Sequence, residues 1–153
     1  MQAMAEATCP VILMHAQGDP KTMQLSPHYD DVALDVHDWL EARIEACVAG
    51  GIARDAIIID PGIGFGKTLR HNLELLNGLS IFHGLGCAIL LGTSRKRFIG
   101  AIGGADRPED RAPGSIATAL AGVAQGVQIT RVHDVAETRQ ALRLWMAING
   151  GQE

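Results

Sequence analysis

Four short apolar runs, each breaking into polar or glycine-rich sequence, alternate along this chain with longer segments whose apolar residues recur every three or four positions. The first pattern predicts buried strands and the second helices. Pro10 to His15 is the first run. Ile57-Ile58-Ile59 follows and reads as a strand buried on both faces, because a strand with one wet face would alternate apolar with polar residues. Cys87 to Leu91 is the third. The fourth, Val127 to Val132, does alternate, which places Val127, Ile129, Arg131 and His133 on one face and Gln128, Thr130 and Val132 on the other.

Between the runs, Ser26-Pro27 reads as an N-cap with proline at the first helical position, where its missing N–H costs nothing. The helix it opens would bury Val32, Val36, Trp39, Leu40, Ile44, Cys47 and Val48 and stop at Gly50-Gly51. Asn72 to Leu79 reads as a second helix and Phe98 to Gly104 as a short apolar segment. Asp106 to Arg111 reads as a solvated loop, after which Pro113-Gly114-Ser115 starts a small-residue helix ending at Gly126. Asp134 with Glu137 forms a predicted capping box for a last helix whose apolar side is Val135, Thr138, Leu142 and Trp145. Met1 to Ala7 reads as the end of another helix.

Strand and helix in turn, four times over, predict an α/β fold with a parallel sheet covered by helices, either doubly wound or closed into a barrel. The position of the chemistry favours the barrel. His15, Asp60, Ser94 with Lys96, and Arg131 with His133 stand at the ends of all four runs, as in (β/α)₈ enzymes, whereas an open sheet gathers its ligand contacts at one crevice. A full TIM barrel takes ~250 residues, so four units in 153 residues are about half of one.

Composition narrows the classes of function. The chain is 47% hydrophobic and 20% charged, which is globular, and a net charge of −4 with 13 Lys and Arg argues against a nucleic-acid surface. No run approaches the ~18 apolar residues of a membrane span and the amino terminus has no leader pattern, so a cytoplasmic protein without a membrane partner is expected. Cys9, Cys47 and Cys87 read as reduced, buried thiols. The six histidines show no paired ligand spacing, so no structural metal is expected.

The loop Asp60 to Thr68, DPGIGFGKT, invites two phosphate motifs. A P-loop built on Gly66-Lys67-Thr68 needs its first glycine where Pro61 stands. A dinucleotide fingerprint on Gly62 and Gly64 needs a third glycine where Lys67 stands. Neither is complete. An acid at the end of a buried strand remains a site candidate, with a loop or helix cap as its structural alternative.

LMHAQGDPKTMQ (Leu13 to Gln24), the helix SPHYDDV, DPGIGFGK (Asp60 to Lys67), LLGTSRKRFIG (Leu90 to Gly100), GSIATA (Gly114 to Ala119) and RVHDVAET (Arg131 to Thr138) occur in one order. On these motifs residues 1–153 resemble the carboxyl-terminal half of the pterin-binding TIM-barrel domain of the dihydropteroate synthase family, the folate-pathway transferases that sulfonamides inhibit. The resemblance implies condensation of p-aminobenzoate with 7,8-dihydropterin-CH₂-diphosphate and release of diphosphate. It also implies a homodimer for the complete enzyme, and Mg²⁺ whose protein ligand is an Asn in the other half. The strands carrying that Asn, a mobile loop and further pterin ligands have no counterpart in these residues, so this chain alone is expected to be inactive.

The resemblance assigns roles by position. Asp60 would anchor the pterin, its carboxylate accepting two parallel N–H groups. Lys96 would reach pterin acceptors beside the aminobenzoate, Ser94 would bind that substrate's carboxylate, and Phe65 would flank its ring. Gly64 and Gly92 would let substrate approach backbone. Met14 would pack on the pterin face, although alone it reads equally as core filling. Arg131 and His133 would bind the diphosphate and, with Lys96, form the catalytic set. Two other readings stay open: a non-catalytic half-barrel serving as a binding or assembly module, and a P-loop nucleotide hydrolase.

Overall fold

In the computed structural model, which describes residues 9–19 and 21–150, the apolar runs pair as strands β1 (Val11–Met14), β2 (Ile57–Asp60), β3 (Ala88–Leu91) and β4 (Ile129–Thr130). All neighbours are parallel and their order along the sheet is β1-β2-β3-β4. Parallel neighbours cannot be joined by a hairpin, so a helical crossover follows each strand. These are α1 (Val32–Ala49), α2 (Leu69–Asn77), α3 (Arg97–Gly103) with α4 (Ala112–Ala124), and α5 (Val135–Ile148) after the last strand. This is the predicted α/β fold, four consecutive units of a (β/α)₈ barrel. The expectation for Met1 to Ala7 lies outside the described residues.

Register divides the strand side chains into two faces with different surroundings. Val11, Ile57, Ile59, Ile89 and Leu91 belong to one core with Val36, Leu40, Ile44, Leu75, Leu79 and Phe82. Ile12, Met14, Ile58, Asp60, Ala88, Leu90 and Ile129 share the opposite face, where Ile12 is 53% exposed and Met14, Ile58, Ala88 and Ile129 are half-buried. Ile57 to Ile59 is therefore not buried evenly on both sides. Helices cover one face; on the other, the face that lines the inside of a closed barrel, only Asp60 and Leu90 of these residues are buried.

The long helix starts later than Ser26-Pro27 predicted. Asp31 is its N-cap, with its carboxylate accepting from the backbone N–H groups of Ala33 (2.9 Å) and Leu34 (3.1 Å). An acid accepting two of the orphan N–H groups beats a proline that only avoids losing one. Replacing Asp31 with Ala is expected to cost about 1 kcal/mol, read as a lower urea midpoint with unchanged slope. Trp39 is not core: it is 37% exposed, with the His15 ring meeting it edge-on at 5.1 Å. Cys47 and Cys87 are buried as expected, but Cys9 is exposed.

α2 begins three residues ahead of its predicted start, because Thr68 and His71 cap each other's backbone in a capping box with histidine in the usual Glu or Gln place. Pro108–Arg111, expected as a solvated loop, forms a 3₁₀ turn. β4 is shorter than predicted. The Gln128 side chain, in place of a backbone carbonyl, accepts from the Ile89 N–H at 2.8 Å, so pairing begins only at Ile129. The capping box at Asp134 does not form, since that carboxylate is taken by Arg95. Val135 is 62% exposed, and Thr138 is the one buried residue of α5.

Candidate active site

The chemistry collects at the carboxyl ends of the strands, where the backbone leaves the sheet ladder and side chains are free to converge. Met14 and Asp60 are register partners on the uncovered face. The Asp60 carboxylate is 2% exposed; one oxygen accepts from the Gly62 N–H at 2.8 Å and the other lies 3.6 Å from Arg131 Nη2. Burial pushes the carboxyl above its usual range, while the Gly62 N–H, Arg131, Lys96 and Lys67 act against that rise. Burial likewise lowers Lys96, and Asp60 works to keep it charged. A half-desolvated carboxylate with unequal partners is primed for a ligand that supplies N–H donors.

Gly92 shapes the floor beside this pair. A Cβ there would fall 2.9 Å from Arg131 Nη2, so only glycine leaves the guanidinium its place. Gly92, Ser94, Lys96, Arg131, Val132 and His133 line a cleft of about 300 Å³. Its cationic wall of Lys96 and Arg131 suits an anion. Lys96 also lies over the Phe65 ring, with Nζ 3.8 Å from the centroid, and borders a second cleft with Gly64 and Gln24. Lys96 therefore stands between two compartments, one on the Arg131 side and one on the Phe65 side.

Ser94 lines the same cleft as His133. It is 7% exposed, and its hydroxyl accepts from the His133 backbone N–H (3.1 Å) and lies 2.9 Å from His133 Nδ1. The hydroxyl thus ties the His133 imidazole to the loop after β3. The neighbouring Arg95 takes a left-handed backbone (φ 58°), rare for a non-glycine residue, and is held there from two sides. Its N–H donates to Ser115 Oγ at 2.9 Å and its guanidinium pairs in bidentate fashion with Asp134. These bonds tie the loop after β3 to the segment after β4, so Ser94 and Lys96 keep their distance from Arg131 and His133.

The glycine loop after β2 is built differently from a phosphate cradle. Lys67 turns beneath it, 3% exposed, with Nζ 2.8 Å from His15 Nδ1, 3.0 Å from the Gly62 carbonyl and 3.1 Å from the Phe65 carbonyl. A P-loop lysine must face the phosphates, so this geometry excludes the nucleotide-hydrolase reading. Gly62 takes a positive φ and passes so close to the His15 carbonyl that a Cβ would overlap it. His15, expected among the strand-end site groups, is buried against Lys67 and does not line the cleft of Arg131 and His133. Burial and Lys67 hold its imidazole down at about 4, hence neutral at pH 7. Gln24, Tyr29 and Asn72, which sequence reasoning passed over, also grip the loop: Gln24 donates to Gly64 O at 2.7 Å, Tyr29 to Gly66 O at 2.8 Å, and Asn72 accepts from Gly64 N–H at 2.6 Å. A lone lysine in a triple-glycine loop was the available signal.

Comparison with known proteins agrees with this geometry. The family described as pterin binding enzyme matches residues 1–133. Dihydropteroate synthase of Escherichia coli is 44% identical over 153 residues, all of this chain and 54% of that protein. The Yersinia pestis dihydropteroate synthase, solved with a sulfonamide drug, superimposes with a TM-score of 0.93 at 45% identity, over 97% of this chain and 54% of that one. The Xanthomonas albilineans enzyme in complex with 7,8-dihydropteroate gives 0.90 at 42% identity, over 98% and 56%. The chain thus spans about half the length of the relatives it matches. By motif order, fold and sequence alike, the chain belongs to the pterin-binding enzyme family.

Proposed function

We propose that this chain supplies the carboxyl-terminal half of a dihydropteroate synthase barrel and, with it, one side of both substrate sites. The observation that carries the reading is the convergence of a buried carboxylate, Asp60, with Arg131 and Lys96 on the strand-end face. In this reading Asp60 accepts two pterin N–H groups, and Met14, its register partner, packs beside the ring. Gly92 leaves the pterin room at the backbone. Lys96 donates to pterin acceptors from its place over Phe65, and Gly64 with Phe65 borders the aminobenzoate.

The aniline nitrogen of p-aminobenzoate bonds to the methylene carbon while the carbon–oxygen bond breaks, its electron pair leaves on the diphosphate, and the new secondary amine gives its proton to solvent. Arg131 and His133 face the departing anion, and their attraction to it grows as its charge develops. Ser94 holds the imidazole in place. Mg²⁺, implied by the family, does not fit the groups present here: Asp60 is surrounded by cations and Mg²⁺ seeks several oxygen ligands, so any ligand for it lies in the other half. Homodimerisation and a cytoplasmic setting belong to the same proposal.

Expressed alone, the chain is expected to make no dihydropteroate, and supplying the amino-terminal half of a relative as a second polypeptide is expected to restore turnover. In that complex Arg131→Ala lowers kcat more than it raises the KM for p-aminobenzoate. A raised KM with unchanged kcat would remove Arg131 from the leaving-group site, and turnover by the isolated chain would refute the half-barrel reading.

A further inference from the structure

The loop that bears Gly64 and Phe65 has three glycines with positive φ, Gly62, Gly64 and Gly66, and its own fully buried apolar side chains, Pro61 and Ile63, both precede Gly64. Such backbone loses much entropy on ordering. We infer that Lys67 is the positioning residue of this loop, its ammonium drawing the Gly62 and Phe65 carbonyls and the His15 ring around one point and so setting the place of the Phe65 ring. An ammonium has three donors, and three acceptors meet it at 2.8, 3.0 and 3.1 Å. The set is complete, so no donor of the buried ammonium is left without a partner.

The other grips on the loop act elsewhere. Gln24 and Asn72 hold the two sides of Gly64, and Tyr29 holds Gly66. Of these side-chain ties, that from Lys67 alone reaches the Phe65 carbonyl, and the Phe65 N–H closes the turn at 3.1 Å onto Gly62 O, the other carbonyl that Lys67 holds. His15 takes part as a neutral acceptor, consistent with a ring held well below its ordinary value. Because Nζ is enclosed, Lys67 acts through Phe65 and Gly64 and does not touch substrate. The Lys96 ammonium above the Phe65 ring is then placed from below as well as from its own loop.

Hydrogen exchange on the 153-residue chain tests this, with Lys67→Met as the near-isosteric variant without donors. Exchange at the Phe65 and Gly64 amides is expected to accelerate about tenfold or more, while the Ile89 amide, bonded to the Gln128 side chain, and the Arg131 amide, bonded to the Leu91 carbonyl, stay slow. His15→Leu, which removes one acceptor of three, is expected to give a smaller acceleration at the same two amides. Unchanged exchange at Phe65 and Gly64 would overturn the inference. Equal acceleration at Ile89 and Arg131 would also overturn it, because the lysine would then be a general prop of the fold.

The second readout rests on the functional reading above. Calorimetric titration of the barrel completed with a relative's amino-terminal half, with p-aminobenzoate and with a pterin, should show the first weakened by Lys67→Met and the second little changed, since Phe65 serves one and Asp60 the other. Equal weakening of both would count against positioning. A completed wild-type barrel that binds neither compound would overturn the functional reading, and the exchange result alone would then decide the role of Lys67.

Discussion

Asp60→Asn in a barrel completed with an amino-terminal half is expected to lose about 100-fold or more in pterin affinity while folding at least as stably as the wild type. The two effects have opposite signs because one carboxylate serves both. In the free protein its charge is buried with a single good donor, the Gly62 N–H at 2.8 Å, and a guanidinium 3.6 Å away, so desolvation is the largest influence on it. A neutral amide removes that desolvation penalty. With ligand present the amide offers one acceptor where two are needed and sets its own N–H against the ligand's donors, leaving buried polar atoms unpaired. Calorimetric titration with a pterin and a urea transition for each protein measure the pair. Wild-type affinity in the variant would show that the anchor lies elsewhere. A large loss of stability would mean that Asp60 holds the loop together.

Acid should destabilise this chain through His15, well above the range of ordinary carboxylates. Its ring is 5% exposed, and burial first, then Lys67, lower its pKa from 6.5 to about 4. Between those values the unfolded chain binds a proton that the folded chain refuses, so unfolding gains as pH falls. The stability is whole above pH 6.5 and declines toward pH 4, by about 3 kcal/mol for a shift of this size. Asp60, raised by burial, works in the opposite sense in acid, and it is common to wild type and to His15→Gln. Urea unfolding of both from pH 4 to 7 isolates the histidine as the difference between two profiles. Parallel profiles would mean that His15 takes up its proton in the fold. Lys67, lowered to about 7 mainly by burial, extends the trend on the alkaline side, with stability rising as pH climbs from about 7 toward 10.5.

Exchange at the glycine loop and turnover by the paired halves probe the same site by independent routes. Loss of turnover with an intact loop would point to Arg131 and His133. A loosened loop with weakened aminobenzoate binding would point to Lys67.

Much of this architecture was legible in the residues alone. Apolar run length and helical spacing marked all four strands and the principal helices, because burial imposes period 2 or 3.6 on any chain that forms these elements. Asp60, Ser94, Lys96, Arg131 and His133 stood out since each lies at or shortly after the end of a strand, where a parallel sheet delivers side chains to one end. Tertiary structure alone decided the rest. The pattern could not tell that Ile58 faces an uncovered side while Ile57 and Ile59 are enclosed, for burial depends on what lies above the sheet. Nor could spacing show that Asp31 outcompetes Ser26-Pro27 as a cap, that Arg95 draws Asp134 out of its capping box, or that Ser94 turns to His133. These are choices among hydrogen-bond partners, settled by residues 39 positions apart for Arg95 with Asp134 and for Ser94 with His133. His15 and Lys67 are separated by 52 positions, and only the fold brings a neutral imidazole to a buried ammonium.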